Sequence, residues 1–381
     1  MLRARRNGVV TAVGLALLPA AGWVGPAGAP APAAAVTAAT TTTTVPTGPA
    51  AGVDLRLPAF GAVYHGMWDM TWRQRSRLLD RLDRIGTEWV RIGVQWSLIQ
   101  PDEPTADDPG YGMKWAVPKA DRVIEMADRR GFKVSVTFLR TPAWANGGRG
   151  PTYLPDDVKT YARAARWMAH RYRDQVQAWE IWNEPNSDNH MRGGRAPRYA
   201  DLLCAAYPAI HRGDPTTRVV FGGTAGNAWG FVAKAYEHGA AGCFDVLATH
   251  PYNQDKSPRL EPPNDKRWWF QNIRLVRRVM VRHDDAATPV WFTEVGWSTH
   301  RNTPSTPSWK RGVTRAEQAR YAAQALRITA REYPYVRKLF WYSAMNERTG
   351  DLENDNFGLY TRDLRPKPSA TRVREMLRRH G

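Results

Sequence analysis

The chain has 381 residues, of which 43% are hydrophobic, enough for a packed core and too apolar for a disordered polymer. Its 54 Lys and Arg against 36 Asp and Glu give a formal charge of +18. The arginines are spread along the chain rather than gathered in a tail or a basic-aromatic stripe, so nucleic acid is not the expected partner. An acidic polysaccharide remains in view, and the 17 Trp and 14 Tyr suit surfaces that stack on flat ligands.

Residues 1–29 read as an export signal: basic MLRARRNG, the short apolar run VVTAVGLALLPAAG, and a small-residue cleavage site at Ala27-Gly28-Ala29. The apolar run is too short to cross a bilayer comfortably, and an uncleaved anchor stays open as the alternative. The expected location is therefore secreted or extracellular. Residues 30–53 are rich in Ala, Thr and Pro and lack large apolar side chains, which predicts a disordered tether. Residues 54–381 form the expected single folded domain.

Within it, eight short runs rich in β-branched and aromatic residues are strand candidates: 61–66, 88–94, 132–139, 176–183, 218–223, 245–250, 289–295 and 336–343. Helical periodicity lies between them at 72–86, 156–173, 198–212, 270–283 and 315–333. This alternation predicts an α/β fold, a (β/α)8 TIM barrel, with an open doubly wound sheet as the weaker alternative. No glycine-rich phosphate turn follows the first strand, which counts against a dinucleotide fold. Cys204 and Cys243 are the only cysteines, and in an exported protein a bridge between them is expected, with two buried thiols as the alternative.

In a barrel the strand C-termini carry the chemistry. Glu184, in WEIWNEPN, falls near the end of the fourth strand candidate, and Glu294, in WFTEVGWST, near the end of the seventh. Two carboxylates set among aromatics at one end of a barrel suit glycoside hydrolysis, where one protonates the leaving oxygen and the other attacks the anomeric carbon. The acid then needs surroundings that raise its pKa, and the nucleophile needs donors that keep it ionised. Glu180, two residues below Trp182, reads as a buried structural acid facing an inward arginine. Strict alternation turns Asn183 away from Glu184, so the strand end must twist for both to serve one sugar. HExxH and GxSxG motifs and close His/Cys clusters are absent, so no metal or cofactor is expected.

Asn183-Glu184-Pro185, with Glu294 ending a later strand, resembles the clan A glycoside hydrolases. WVRIGVQWSLIQP, LRTPAWA, FDVLATHPYN and LFWYSAMNE fall in the order of that clan, and the nearest likeness is to family 39 and other cellulase-like enzymes. The resemblance implies a retaining β-glycoside hydrolase with Glu184 as general acid/base and Glu294 as nucleophile. It further implies Asn183 on the sugar 2-hydroxyl, Arg91 and Tyr252 holding Glu294, His250 lining the floor, and Trp341 and Trp144 as stacking platforms. A non-proline cis peptide at Trp341–Tyr342 belongs to the same expectation. A transglycosylase using the same residues, or an inactive carbohydrate-binding protein on the same scaffold, are the alternatives.

Overall fold

The computed structural model describes residues 55–68, 70–104, 116–193 and 195–380. The export segment and the tether expected at 1–53 lie outside the described residues.

Eight parallel strands close into a barrel in chain order: β1 (Ala59–Val63), β2 (Trp89–Gln95), β3 (Lys133–Leu139), β4 (Ala178–Ile181), β5 (Arg218–Ala225), β6 (Val246–His250), β7 (Val290–Val295) and β8 (Val336–Trp341), with β8 pairing back to β1. The outer layer is α1 (Trp72–Arg84), a short α2 (Trp96–Ile99), α3 (Pro118–Asp128), α4 (Val158–Arg171), α5 (Ala196–Gly213), α6 (Trp229–Glu237), α7 (Ile273–Arg282), α8 (Arg315–Glu332) and α9 (Pro368–His380). The expected TIM barrel is the fold. All eight strand candidates are strands; α2, α3, α6 and α9 carried no helix expectation.

Local chemistry sets the helix starts. Thr71 and Gln74 form a reciprocal capping box before α1, and Thr314 and Glu317 do the same before α8, satisfying N–H groups the first turn leaves unpaired. Leu78, Leu79 and Leu82 are the buried stripe of α1. Cys204 on α5 and Cys243 after α6 are bonded, with an S–S distance of 1.99 Å. Closing a loop across 39 residues contributes about 4 kcal/mol in the chain-entropy view.

The strands have two faces because successive side chains alternate. Outward residues such as Trp179, Ile181, Phe138 and Phe221 pack against the helices. Inward residues change character along the barrel axis. At the bottom, Trp89, Ala178, Val220, Val246, Ala248, Trp291 and Phe340 form a separate apolar plug, which reaches up along β1 to Val63 at the cavity. Two positions further along their strands, the inward side chains become Arg91, Glu180 and Thr293, all buried. A dry floor thus lies beneath a buried polar layer, which raises the strength of every interaction in that layer.

Candidate active site

The site begins where β4 stops being regular. Its ladder ends at Ile181, and Trp182 and Glu184 take left-handed backbone angles, φ 70° and 46°. Such angles cost a non-glycine residue of order 1–3 kcal/mol and persist only when neighbours hold them. Here Glu184 N donates to Gly223 O at 2.9 Å, and the Trp182 indole donates to His190 O at 3.1 Å. Asn186 clamps the end of β5 from both sides of its amide, to Ala225 N and Ala225 O. Tyr199 of α5 donates to Ile181 O and accepts from Gly222 N. This departure from alternation is the twist that brings Asn183 and Glu184 to line the same cavity.

Gly223 matters for a different reason. A Cβ there would lie 2.2 Å from His250 Nε2 and 2.5 Å from Thr293 Oγ1, so only glycine lets β5 pass this close to the polar layer. β5 shifts register against β6 between Phe221 and Thr224, and β7 shifts against β8 between Phe292 and Val295, beside Glu294.

Glu180 is the anchor of the layer and is fully buried. Its Oε2 accepts from Arg91 Nε at 2.5 Å and Thr137 Oγ1 at 2.7 Å; its Oε1 accepts from Gly223 N and Thr293 Oγ1, both at 2.9 Å. Burial works against its charge, but Arg91 outweighs it and holds the carboxyl below its usual range. The same guanidinium donates through Nη1 to Glu294 Oε1 at 2.7 Å and through Nη2 to Asn183 Oδ1 at 2.8 Å. Tyr252 donates to the other oxygen, Glu294 Oε2, at 2.7 Å. Burial, then the nearby Glu294 charge, push the Tyr252 phenol well above its ordinary pKa, so it stays a donor.

His250 joins the two carboxylates from below. It is fully buried, with Nδ1 3.0 Å from Glu184 Oε1 and 3.6 Å from Glu294 Oε2. Oxygen atoms of Glu184 and Glu294 and the His250 nitrogen all lie within 4.8 Å of one another. Among the described residues these three are the group that could hold a divalent cation, and the Glu184–His250 hydrogen bond would have to break for it.

The hydrogen-bond network fixes where protons sit. Thr293 spends its hydroxyl proton on Glu180, so at 3.1 Å it accepts from His250 Nε2. The Nδ1–Glu184 contact then holds one shared proton. Burial works against the imidazolium, but the charges of Glu294 and Glu184 outweigh it, and the ring titrates above an ordinary histidine. Burial likewise works against the Glu184 carboxylate, but the bonds from His190 and His250 win, and its pKa falls below the usual range. This differs from the expectation of a raised pKa at Glu184: two imidazoles face it and favour its charged form, and the proton is shared with His250.

His190, in the polar loop after β4, carried no expectation. Its Nε2 lies 3.0 Å from Glu184 Oε2, and its Nδ1 lies 3.3 Å from Asn183 Nδ2, a donor because Oδ1 is taken by Arg91. His190 is therefore protonated on Nε2 and donates to Glu184.

Above these groups is a cavity of about 770 Å³, lined by Asn183, Glu184, Tyr252 and Glu294 among others. Neither expected platform borders it. Trp341 is 1% exposed, donates its indole N–H to Phe357 O and packs beside Trp297. Trp144 donates to Gln100 O and packs edge-on against Trp96. His250 lies beneath the carboxylates rather than in the cavity. The aromatic at the β8 end that does line it is Tyr342, one residue beyond the strand, and the non-proline cis bond is Tyr342–Ser343 rather than Trp341–Tyr342. Three exposed tryptophans from other loops border the cavity: Trp68, Trp268 and Trp309. Trp68 is backed by a parallel His65 ring at 3.9 Å, and His65 Nδ1 is 2.8 Å from Glu347.

Comparison with known proteins fits this geometry. The chain is 26% identical over 250 residues to a beta-xylosidase of Caldicellulosiruptor saccharolyticus, covering 61% of this chain and 49% of that protein. The match thus spans about half of that curated relative's length. A family 39 glycoside hydrolase from the gut symbiont Bacteroides cellulosilyticus superposes with a TM-score of 0.66 at 22% identity, covering 85% of this chain and 64% of that one. GH5_18 from Streptomyces cattleya, solved in complex with GlcNAc, gives 0.63 at 21% identity, covering 86% and 81%. These structural likenesses carry the fold. The sequence profile described as Cellulase (glycosyl hydrolase family 5) matches residues 50–325, most of the barrel, and the chain belongs to that family, within the clan A glycoside hydrolases.

Proposed function

We propose that this chain is an exported β-glycoside hydrolase that cleaves a poly- or oligosaccharide with retention of anomeric configuration, Glu294 as nucleophile and Glu184 as acid/base. The observation that carries the reading is the spacing of the two carboxylates. Their nearest oxygens lie within 4.8 Å, in keeping with the separation of about 5–5.5 Å between carboxyl groups in double displacement and short of the ~6.5–9.5 Å that an inverting water needs. Trp68, Trp268 and Trp309 offer flat apolar faces to sugar rings, and Asn183 lines the same cavity.

The shared proton gives the mechanism its timing. The Glu294 carboxylate attacks the anomeric carbon as the bond to the leaving oxygen breaks. The proton shared with His250 Nδ1 across 3.0 Å moves fully onto Glu184 and from it to that oxygen. Ester formation removes the Glu294 charge, the strongest support of the imidazolium, so His250 gives up its proton when it is needed. The pair is then unprotonated and ready to take a proton from the water that attacks the glycosyl-enzyme. Release of Glu294 restores the negative charge and the starting state.

The reading is tested on purified protein with a panel of β-linked xylans, glucans, mannans and exopolysaccharides, following product size and anomer by proton NMR. The expected first-formed product is the β-anomer. First-formed α-anomer would rule out double displacement. An added sugar acceptor reports transfer by the same residues.

The pH profile checks the proton assignment. In the wild type, kcat/KM should fall on the alkaline side as the Glu184–His250 pair loses its proton, above the ordinary histidine value near 6.5. In His250→Asn the acid proton belongs to Glu184 alone. A carboxyl loses its proton at lower pH than a supported imidazolium, so the alkaline limb should move toward acid. An unmoved limb would place the proton elsewhere.

A further inference from the structure

Arg140 is not explained by the catalytic network. It follows β3 at φ 71°, a left-handed angle for a non-glycine residue, with its carbonyl accepting from Ser97 N at 3.1 Å. It lines the cavity that also holds Asn183, Glu184 and His190. The residue is half-buried, and among the described residues its guanidinium has neither a hydrogen-bond nor an ion-pair partner. Arg91, Arg130 and Arg277 are satisfied: Arg91 makes three side-chain bonds, Arg130 bonds Asp80, Met126 O and Ser76, and Arg277 bonds Thr288 O. Half-buried Arg81 and Arg327 share the condition of Arg140 but do not border the cavity. Burial alone presses Arg140 ionisation below its usual value, with no acid to offset it. Half-desolvating a guanidinium without a partner is costly, and such a group at a cavity wall is a site waiting for an acceptor.

The acids of the cavity do not supply one. Glu184 is engaged by two histidines, Glu294 by Arg91 and Tyr252, and Glu347 by His65, and Glu353, the fourth acid bordering the cavity, makes no ion pair with Arg140. Further positive charge borders the same cavity from the loop after β7: Lys310, whose nearest acid, Asp351, is 3.9 Å away, and exposed Arg311. A neutral sugar presents only hydroxyls, which bond a guanidinium weakly. A planar anion matches its fork and forms charge-assisted bonds.

We infer that Arg140 is a specificity-determining residue that receives an anionic substituent of the bound glycan, a uronic acid carboxylate or a sulfate ester. The inference rests on the reading of the cavity as a glycan site and names its substrate class as an acidic polysaccharide.

The test is titration calorimetry on the full chain with paired probes. Oligosaccharides containing glucuronic, galacturonic or mannuronic acid are set against their carboxyl-reduced counterparts, and sulfated oligosaccharides against desulfated ones; the two arms tell carboxylate from sulfate. At least one acidic probe is expected to bind roughly 10- to 100-fold more tightly than its neutral partner. That preference should shrink to about threefold or less in Arg140→Gln and be partly kept in Arg140→Lys. Equal binding of every acidic and neutral pair, or a preference that survives in Arg140→Gln, overturns the inference. If Arg140→Gln melts early, Arg140→Lys and wild type at raised ionic strength carry the test, and a preference unaffected by both overturns it equally. Bond cleavage is recorded on the same probes. Acid-selective binding without cleavage keeps the anion site and counts against the glycosidase; cleavage of neutral glycans without acid selectivity does the reverse.

Discussion

Replacing Glu294 by glutamine is expected to lower turnover on the order of 10⁴-fold, about 5 kcal/mol of barrier, while the protein folds normally. The amide is nearly isosteric; its carbonyl oxygen still accepts from Arg91 while its NH2 turns to the Tyr252 hydroxyl as a donor, but it cannot form the glycosyl ester. Glu294→Gly should be rescued by azide on an aryl glycoside, yielding an α-glycosyl azide, because the small anion attacks from the side the carboxylate vacated. Glu184→Gln separates the two roles. It should lose about 10²–10⁴-fold on sugar leaving groups and far less on dinitrophenyl leaving groups, which depart without a proton. If both glutamine variants keep near wild-type turnover on a substrate the parent cleaves, the assignment of roles is wrong.

Arg91→Met is expected to damage stability and activity together. The guanidinium joins three groups from β4, the loop after it and β7, and its side chain is 5% exposed. Taking it away leaves Glu180 charged at 0% exposure without its ion-pair partner. Removing one member of a buried pair costs about 3–5 kcal/mol, which corresponds to a melting temperature lower by roughly 5–8 °C in a domain of this size. The cause is the stranded charge rather than lost attraction, so Glu180→Gln added to Arg91→Met should recover part of the stability. It should recover none of the turnover, since Glu294 and Asn183 still lack their common donor. Thermal melts of the single and double variants decide this: an Arg91→Met protein that melts within about a degree of the parent refutes it.

The strands were legible because each is a short β-branched and aromatic run bounded by glycine, proline or charge, the pattern of a ladder buried on both faces. Two of the helices that escaped notice lacked a comparable signal, whereas α3 repeats apolar residues at Ala120, Val123, Ile124 and Ala127 and was legible. α6 has nine residues, too few to show a period, and α9 buries little beyond Ala370, Val373 and Met376 in an arginine-rich segment. Glu184 and Glu294 stood out as acids where apolar context makes an acid expensive. The aromatic platforms did not, since the side-chain period of a strand is two and one residue of error exchanges core for cavity. That is the difference between Trp341 and Tyr342. His190 sits in the polar loop SDNHM, where no periodicity marks it, and only the folded turn at Trp182–Glu184 brings it to the acid. Its role depends on two left-handed backbone angles, and a run of residue types does not announce those.

The apolar plug formed by Trp89, Trp291 and Phe340 has a consequence for traffic. It closes the barrel interior beneath the reacting groups, so among the described residues they are approached from the cavity at the C-terminal ends of the strands. Every arrival and departure shares that opening, and a product still lodged there blocks whatever comes next. The water that finishes a turnover must enter by the way the first product left, and a second sugar chain waiting at the mouth competes with it for the same carbon.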